Sequence, residues 1–166
     1  MTRCNADLSN SFGNLVQRVL SFIVKNCDAC LPTIKPQAAA DLLLSEQVKS
    51  RVTAMRTAMA ALELQTALTE WMTAVFECNR YVDEQAPWAL RKTDPARMVE
   101  VLATLCEAIR LLAIAIQPIV PRGAAVVLDA LGIATDARDF AALDSVPTAW
   151  QIGAPRPAFP RLELVA

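Results

Sequence analysis

The chain has 166 residues with 16 basic and 17 acidic side chains, so its formal net charge is −1 and it is long enough to bury one hydrophobic core. Its 54% hydrophobic content lies outside the range of disordered sequences. It has no histidine, which excludes an imidazole base or ligand from this chain, and 4 glycines leave little material for a phosphate-binding loop.

The composition also predicts the compartment. The N-terminal residues show no apolar stretch behind Arg3, so we expect no secretory signal and a reducing, cytoplasmic environment for the five cysteines. The most apolar run, from Ile109 to Val120, contains Arg110 and Pro118 and is too short to span a membrane, so it predicts a buried helix. A net charge near zero removes general affinity for nucleic acid, and we expect no DNA partner.

Hydrophobic periodicity predicts an all-α fold, a bundle of about five helices. The clearest segment has Leu8, Phe12, Leu15, Val19 and Phe22 on one helical face. Proline and glycine punctuation sets the later ends. The predicted helices run from about Asn5 to about Cys27, from Ala38 to Leu62, from Gln65 to Glu84, from Asp94-Pro95 to the break at Pro118, and from Gly123 to Leu131.

Two of these helices carry specific expectations about their faces. In the second, the pattern places Leu42 and Leu43 inside and Asp41 outside. In the third, apolar residues on two sides predict that both are covered. We treat residues 1–166 as one domain, with a helical bundle over about 5–144 and an extended, proline-rich tail over about 145–166 that packs back on it.

Metal and acid–base chemistry find little support. Cys27 and Cys30 form the one Cys-x-x-Cys pair, and without a second pair we expect no metal site and read the cysteines as small buried hydrophobic residues. The carboxylates of the third helix, which are Glu63, Glu70, Glu77 and Asp83, fit a solvated face better than a catalytic couple. We therefore assign no catalytic residue to this chain.

Two segments far apart in sequence hold the polar residues of interest. Asn10, Asn14 and Arg18 recur every four residues and form a stripe beside the apolar face of the first helix. At about 100° per residue, Asn14 lies roughly 120° from the centre of that face and Arg18 roughly 80°, so Arg18 borders the core while Asn14 points outward. In the second segment, Asn79 to Trp88, Pro87 fixes the backbone so that Trp88 projects from a rigid corner.

These segments, with Arg91 and Lys92 just after Trp88, resemble the anticodon-binding domain of bacterial methionyl-tRNA synthetases. The stretches Gln117 to Pro121 and Pro157 to Glu163 are also similar to that family, so the resemblance spans nearly the whole chain. It implies a helical bundle of the class I synthetase anticodon-binding type that grips the CAU anticodon of methionine tRNAs. By the resemblance, the anticodon readers are Asn14, Arg18 and Trp88.

The residue types suit that task. RNA loops are recognised by unstacked bases that lie on aromatic or guanidinium planes and hydrogen-bond along their edges. The side chain of Asn14 offers an acceptor beside a donor, which matches the pattern of cytosine, so we expect Asn14 and Arg18 to read the first anticodon base while Trp88 stacks. Asn10, Pro87, Arg91 and Lys92 are predicted supporting residues, the last two as phosphate contacts.

The resemblance also implies a division of labour. The family's catalytic core, which uses ATP and magnesium to join methionine to its tRNA, has no counterpart in these residues. We therefore expect no aminoacylation by this chain alone, no cofactor of its own, and two partners: methionine tRNA and the catalytic domain of a parent enzyme. The dimerisation extension of some family members is likewise not expected here, since the sequence stops at Ala166.

Two other interpretations stay open. One is a helical protein-interaction or scaffold domain that never meets RNA, which composition alone would favour. The other is the anticodon domain of a related class I synthetase, of the cysteine, valine, leucine or isoleucine type. Binding to a methionine anticodon hairpin and to its C-to-U variant separates these three functions.

Overall fold

The computed structural model describes residues 4–163. Six α-helices form the bundle in this part of the chain, and short 3-10 turns and a small sheet follow or join them. The α-helices are α1 (Asn14–Asn26), α2 (Ala39–Ala60), α3 (Leu64–Gln85), α4 (Pro87–Thr93), α5 (Pro95–Ile116) and α6 (Pro121–Ala130). The all-α prediction is confirmed.

Helix α5 is the centre of the core. Nearly all of its residues from Met98 to Ile116 are buried, including Arg110, which is 1% exposed. Arg110 stays satisfied because its guanidinium pairs with Glu107 and donates to the carbonyls of Ala142 and Leu143. The apolar run is therefore a buried helix as far as Ile116, as predicted, whereas residues 117–120 lie beyond the helix and Ile119 is exposed. No helix among residues 4–163 is long and apolar enough to cross a membrane.

The first predicted helix has the expected extent, but its N-terminal half is not a regular α-helix. Residues Cys4–Gly13 form a π-helix, and the regular α1 begins only at Asn14. In a π-helix each hydrogen bond reaches back five residues, and the hydroxyl of Ser11 likewise donates to the carbonyl of Ala6 at 3.0 Å. Gly13 suits this geometry, since a Cβ there would lie only 3.0 Å from the carbonyl oxygen of Leu8.

The first turn of the second helix differs from the prediction, while Val48, Val52 and Met55 further along are buried as expected. Leu42 and Leu43 are about half exposed, at 51% and 52%, whereas Asp41 is 1% exposed and Leu44 is buried. The reversal has a physical cause: Asp41 is paired with Arg97 and Tyr81 inside the protein. The prediction failed because hydrophobicity alone ranks a carboxylate as an outside residue.

Helix α3 is covered on two sides, as predicted, with Trp71, Met72, Val75 and Cys78 all buried. Of the four carboxylates assigned to this helix, Glu70 and Glu77 are less solvated than expected. Glu70 accepts a hydrogen bond from Arg51 of α2 at 2.8 Å, and Glu77 lies 3.8 Å from the same guanidinium. Glu63 is exposed, and Asp83 is paired with Arg18.

Two 3-10 turns, Thr135–Ala137 and Phe140–Asp144, connect α6 to the segment predicted as an extended tail. That segment contains strand β2 (Ala149–Gln151). This strand pairs antiparallel with β1 (Cys30–Pro32), so that Leu31 lies opposite Trp150, and both are buried. Strand β1 was not predicted, because three residues give too short a pattern to read.

The tail lies against the N-terminal π-helix. The ring of Phe159 packs on Phe12 with 5.8 Å between centroids. The side-chain amide of Asn5 makes two hydrogen bonds to the backbone of Leu162. Its Nδ2 donates to the carbonyl at 2.9 Å, and its Oδ1 accepts from the amide nitrogen at 2.8 Å. Gly123 provides the room for Phe159, because a Cβ at that position would overlap the aromatic ring.

Candidate nucleic-acid interface

Arg18 and Trp88, the two planar groups named in the sequence, lie together. The Cζ atom of Arg18 is 5.4 Å from the centroid of the Trp88 ring, within the range of a cation–π contact. Trp88 is 46% exposed, while Trp71 and Trp150 are each 1% exposed. Trp88 is thus the one tryptophan among residues 4–163 whose indole is open to a ligand.

Arg18 has a second partner that the sequence analysis did not assign. Its Nη2 donates to Oδ1 of Asp83 on α3 at 2.6 Å, and the two side chains are 34% and 61% exposed. The guanidinium is therefore held between a carboxylate and an indole while part of it stays open to solvent. Asp83 lies inside the Asn79 to Trp88 segment, but its pairing with Arg18, 65 residues away, could not be predicted from the sequence around it.

Asn14 is exposed at the first position of α1, one helical turn before Arg18. It borders a cleft of about 510 Å³ that also contains Asn10 and Gln17. The opposite wall of this cleft is the tail from Pro157 to Arg161. Two members of the polar stripe, Asn10 and Asn14, therefore face an open concave surface, whereas Arg18 lies outside it against Trp88.

The corner that presents Trp88 is formed by a residue in the left-handed backbone conformation. Ala86 ends α3 and begins α4 with φ 43° and ψ 61°. This conformation costs a residue with a Cβ about 1 to 3 kcal/mol, so the surroundings must hold it in place. Pro87 follows as a buried first residue of α4. The structure therefore has a corner at Ala86 and Pro87, although the sequence shows Ala where a left-handed residue would favour Gly.

Arg91 and Lys92, the two residues predicted to contact phosphates, are both exposed. Arg91 donates from Nη1 to Oδ1 of Asn26 at 2.5 Å, so it ties α4 to the end of α1. Lys92 is exposed beside it on the last turn of α4. Both side chains therefore remain reachable from solvent on the helix that carries Trp88.

A buried charge cluster lies behind the corner and was not predicted. Both oxygens of Asp41 accept from Arg97 at 2.5 Å, and the Tyr81 hydroxyl donates to Asp41 at 2.6 Å. Burial by itself raises the pKa of Asp41, but hydrogen bonds from Arg97 and Tyr81 outweigh it and leave the pKa below its ordinary value. Burial and the bond to Asp41 raise the pKa of Tyr81.

The prediction that the cysteines are buried is correct only in part. Cys78 and Cys106 are buried, and burial raises the pKa of both thiols, as expected for hydrophobic residues. Cys4 and Cys30 are exposed and Cys27 is partly buried, so the buried interpretation is wrong for the first two. Within residues 4–163 no three or more Cys, Asp or Glu gather as a metal site would require.

Comparisons with known proteins agree on one kind of domain. The family described as the anticodon binding domain of methionyl tRNA ligase matches residues 31–163. Methionine–tRNA ligase of Brucella suis biovar 1 is 42% identical over 163 residues, which cover 97% of this chain and 32% of that protein. The enzyme of Rickettsia bellii is 36% identical over 169 residues. The chain thus spans about a third of the relatives it matches.

A solved structure shows the same fold. The crystal structure of the apo form of Mycobacterium tuberculosis methionyl-tRNA synthetase superposes with a TM-score of 0.93 at 36% identity, over 99% of this chain and 34% of that one. The family match starts at residue 31 and so includes Trp88, whereas Asn14 and Arg18 precede it. Their assignment rests on the geometry above and on the sequence resemblance.

Proposed function

We propose that the face formed by Asn14, Arg18 and Trp88 binds the CAU anticodon loop of methionine tRNAs. The premise is that this chain belongs to the family of anticodon-binding domains of methionyl tRNA ligase. The observation that carries the proposal is the contact between Arg18 and Trp88. Residues from two distant segments, α1 and the α3–α4 corner, meet there as two planar groups on an exposed surface.

Each side chain has a separate task in this proposal. The exposed indole of Trp88 stacks on an unstacked base, the usual way in which a protein holds a single-stranded loop. The guanidinium of Arg18 supplies hydrogen-bond donors, and the side-chain amide of Asn14 matches the donor and acceptor of cytosine. Lys92 and Arg91 contact backbone phosphates, and Asn10 lines the cleft into which the neighbouring nucleotide extends.

The protein as a whole would be a cytoplasmic ligase that joins methionine to its tRNA. In that enzyme a separate catalytic domain would use ATP and magnesium, and the present domain would select the tRNA. The role of this chain is then recognition without chemistry of its own.

The experiment is a binding titration with synthetic anticodon hairpins. The chain should bind a hairpin with a CAU loop more tightly than a UAU variant that differs only in the first anticodon base. A hairpin with the GCA anticodon of cysteine tRNA should bind more weakly than both. Tighter binding to the GCA loop would favour a related synthetase, and no binding to any hairpin would favour a protein-interaction domain.

A further inference from the structure

The orientation of Trp88 depends on a single backbone corner. Gln85 is the last residue of α3, Ala86 is left-handed, and Trp88 is the second residue of the seven-residue helix α4. The amide of Ala86 donates to Val82 at 3.1 Å, and its carbonyl accepts from Ala89 at 2.8 Å. Because α3 ends and α4 begins at Ala86, a small rotation of the Ala86 backbone moves the indole of Trp88 relative to Arg18.

One side chain at the corner is anchored in the core. Oε1 of Gln85 accepts a hydrogen bond from Nη2 of Arg97 at 2.8 Å. Arg97 is held in place because it forms a bidentate ion pair with Asp41, which is 1% exposed. The last turn of α3 is thereby tied to the first turns of α2 and α5.

We propose that Gln85 is a positioning residue for Trp88, held by Arg97, and that its hydrogen bond sets the angle at which the indole meets RNA. The proposal rests on the proposed function, since it concerns the same RNA-binding face. It adds to that face a residue that acts through the corner and touches no base.

The geometry separates this role from general stability. If Gln85 loses its acceptor, the buried pair between Arg97 and Asp41 remains intact, so the core keeps its main electrostatic contact. Glu100 provides a matched control. It also accepts from Arg97, at 3.0 Å, but it lies on the same helix as Arg97 and does not connect to α3.

The first experiment compares three variants in hairpin binding. Gln85→Met keeps the side-chain length and removes the acceptor, and it should weaken binding to the CAU hairpin by about fivefold to tenfold, the scale of one ordinary hydrogen bond. Gln85→Glu restores an acceptor for Arg97 and should recover most of that loss at physiological salt, where a Debye length of about 8 Å screens its charge. Glu100→Gln should bind like the unmodified chain.

A double-mutant cycle tests whether Gln85 acts through Trp88. In a Trp88→Ala background, Gln85→Met should cause no further loss of affinity, because the group that it positions is gone. An equal loss in both backgrounds would overturn the inference while leaving the proposed function intact. If instead the unmodified chain fails to bind the CAU hairpin, the proposed function is what fails.

A measurement without RNA keeps the inference testable even if affinity is hard to interpret. Trp71 and Trp150 are buried, so iodide quenching of tryptophan fluorescence reports mainly on Trp88. Gln85→Met should change the quenching constant of the folded protein, whereas Glu100→Gln should not. Identical quenching in Gln85→Met and the unmodified chain would contradict a positioning role.

Discussion

The guanidinium of Arg18 lies over the indole of Trp88, 5.4 Å from the ring centroid, while its Nη2 is 2.6 Å from Asp83. Three side chains from α1, α3 and α4 thus form one exposed cluster. An RNA base that stacks on Trp88 would gain binding energy from the indole. The edge of a base that approaches Arg18 would compete with Asp83 for the hydrogen-bond donors of the guanidinium. The cluster therefore predicts opposite effects for two of its members.

Trp88→Ala should weaken binding to the CAU hairpin by about 1 to 3 kcal/mol, the usual contribution of one base stacked on an aromatic ring. The free energy of unfolding should change little, since Trp88 is 46% exposed. Calorimetric titration and urea unfolding measure the two quantities. Trp71→Ala is the contrast, and it should cost about 3 to 5 kcal/mol of stability because that indole is buried and donates to the carbonyl of Leu112. A large loss of stability in Trp88→Ala would assign Trp88 to the core.

Asp83→Asn should strengthen hairpin binding. The substitution removes a negative charge beside an anionic ligand and frees donors of Arg18 that the carboxylate now occupies. The gain should be about 0.2 to 1 kcal/mol, the range measured for exposed ion pairs. The control is Glu84→Gln, which removes the same charge from the adjacent position, where the carboxylate lies 3.7 Å from Arg80. An equal gain in both variants would point to general charge repulsion, and weaker binding in Asp83→Asn would show that the carboxylate orients Arg18.

Asp41→Asn should destabilise the protein by about 3 kcal/mol at neutral pH, because it leaves the buried face of Arg97 without its charged partner. The pKa of Asp41 is lower in the folded protein than in the unfolded chain. The stabilisation from this carboxylate is therefore present above the unfolded pKa of about 3.9 and is lost as the pH falls through the folded pKa. The difference in unfolding free energy between the two proteins should narrow below about pH 4, as urea titrations at several pH values would show. A difference that stays constant to pH 2 would contradict the lowered pKa.

The helices were predictable because their signals are local. Hydrophobic spacing placed Leu15 and Val19 in the core, and Asp94 before Pro95 marked the start of α5, where the carboxylate does accept from the amide of Arg97. The same local reasoning placed Arg18 at the border of the core, and the structure agrees. For these elements, the residues within one or two helical turns determine the outcome.

The missed features depend on distant residues. Asp41 is buried only because Arg97 and Tyr81 reach it from other helices, and strand β1 exists because Trp150 pairs across from Leu31. Ala86 adopts a left-handed conformation that its residue type disfavours, so tertiary contacts decide it. The role of Asp83 at the site required knowing where Arg18 would lie. None of these follows from a window of neighbouring residues.

Gly123→Ala should loosen the tail. A Cβ at this position would overlap the ring of Phe159, so the ring must move away from Phe12 and from the wall of the cleft beside Asn14. Overpacking of this kind costs about 1 to 3 kcal/mol. The combination Gly123→Ala with Phe159→Leu should recover part of this stability, since the smaller side chain leaves space. Faster amide hydrogen exchange in the π-helix of Gly123→Ala would locate the effect, and unchanged stability would show that the tail adjusts without cost.

The last prediction concerns discrimination at the first anticodon base. Asn14 and Arg18 are one helical turn apart on α1, so both can approach a single base. Replacing cytosine by uracil reverses the donor and acceptor pattern opposite the Asn14 amide, and such a mismatch typically costs about 1 to 3 kcal/mol. In Asn14→Ala this penalty should shrink, because the discriminating group is absent. Lys49→Ala, a change at an exposed position of α2, should alter neither affinity nor the ratio between the two hairpins. The measurement is a double-mutant cycle between Asn14 and the first anticodon base, and a coupling energy within error of zero would remove Asn14 from the site even if the hairpin still binds.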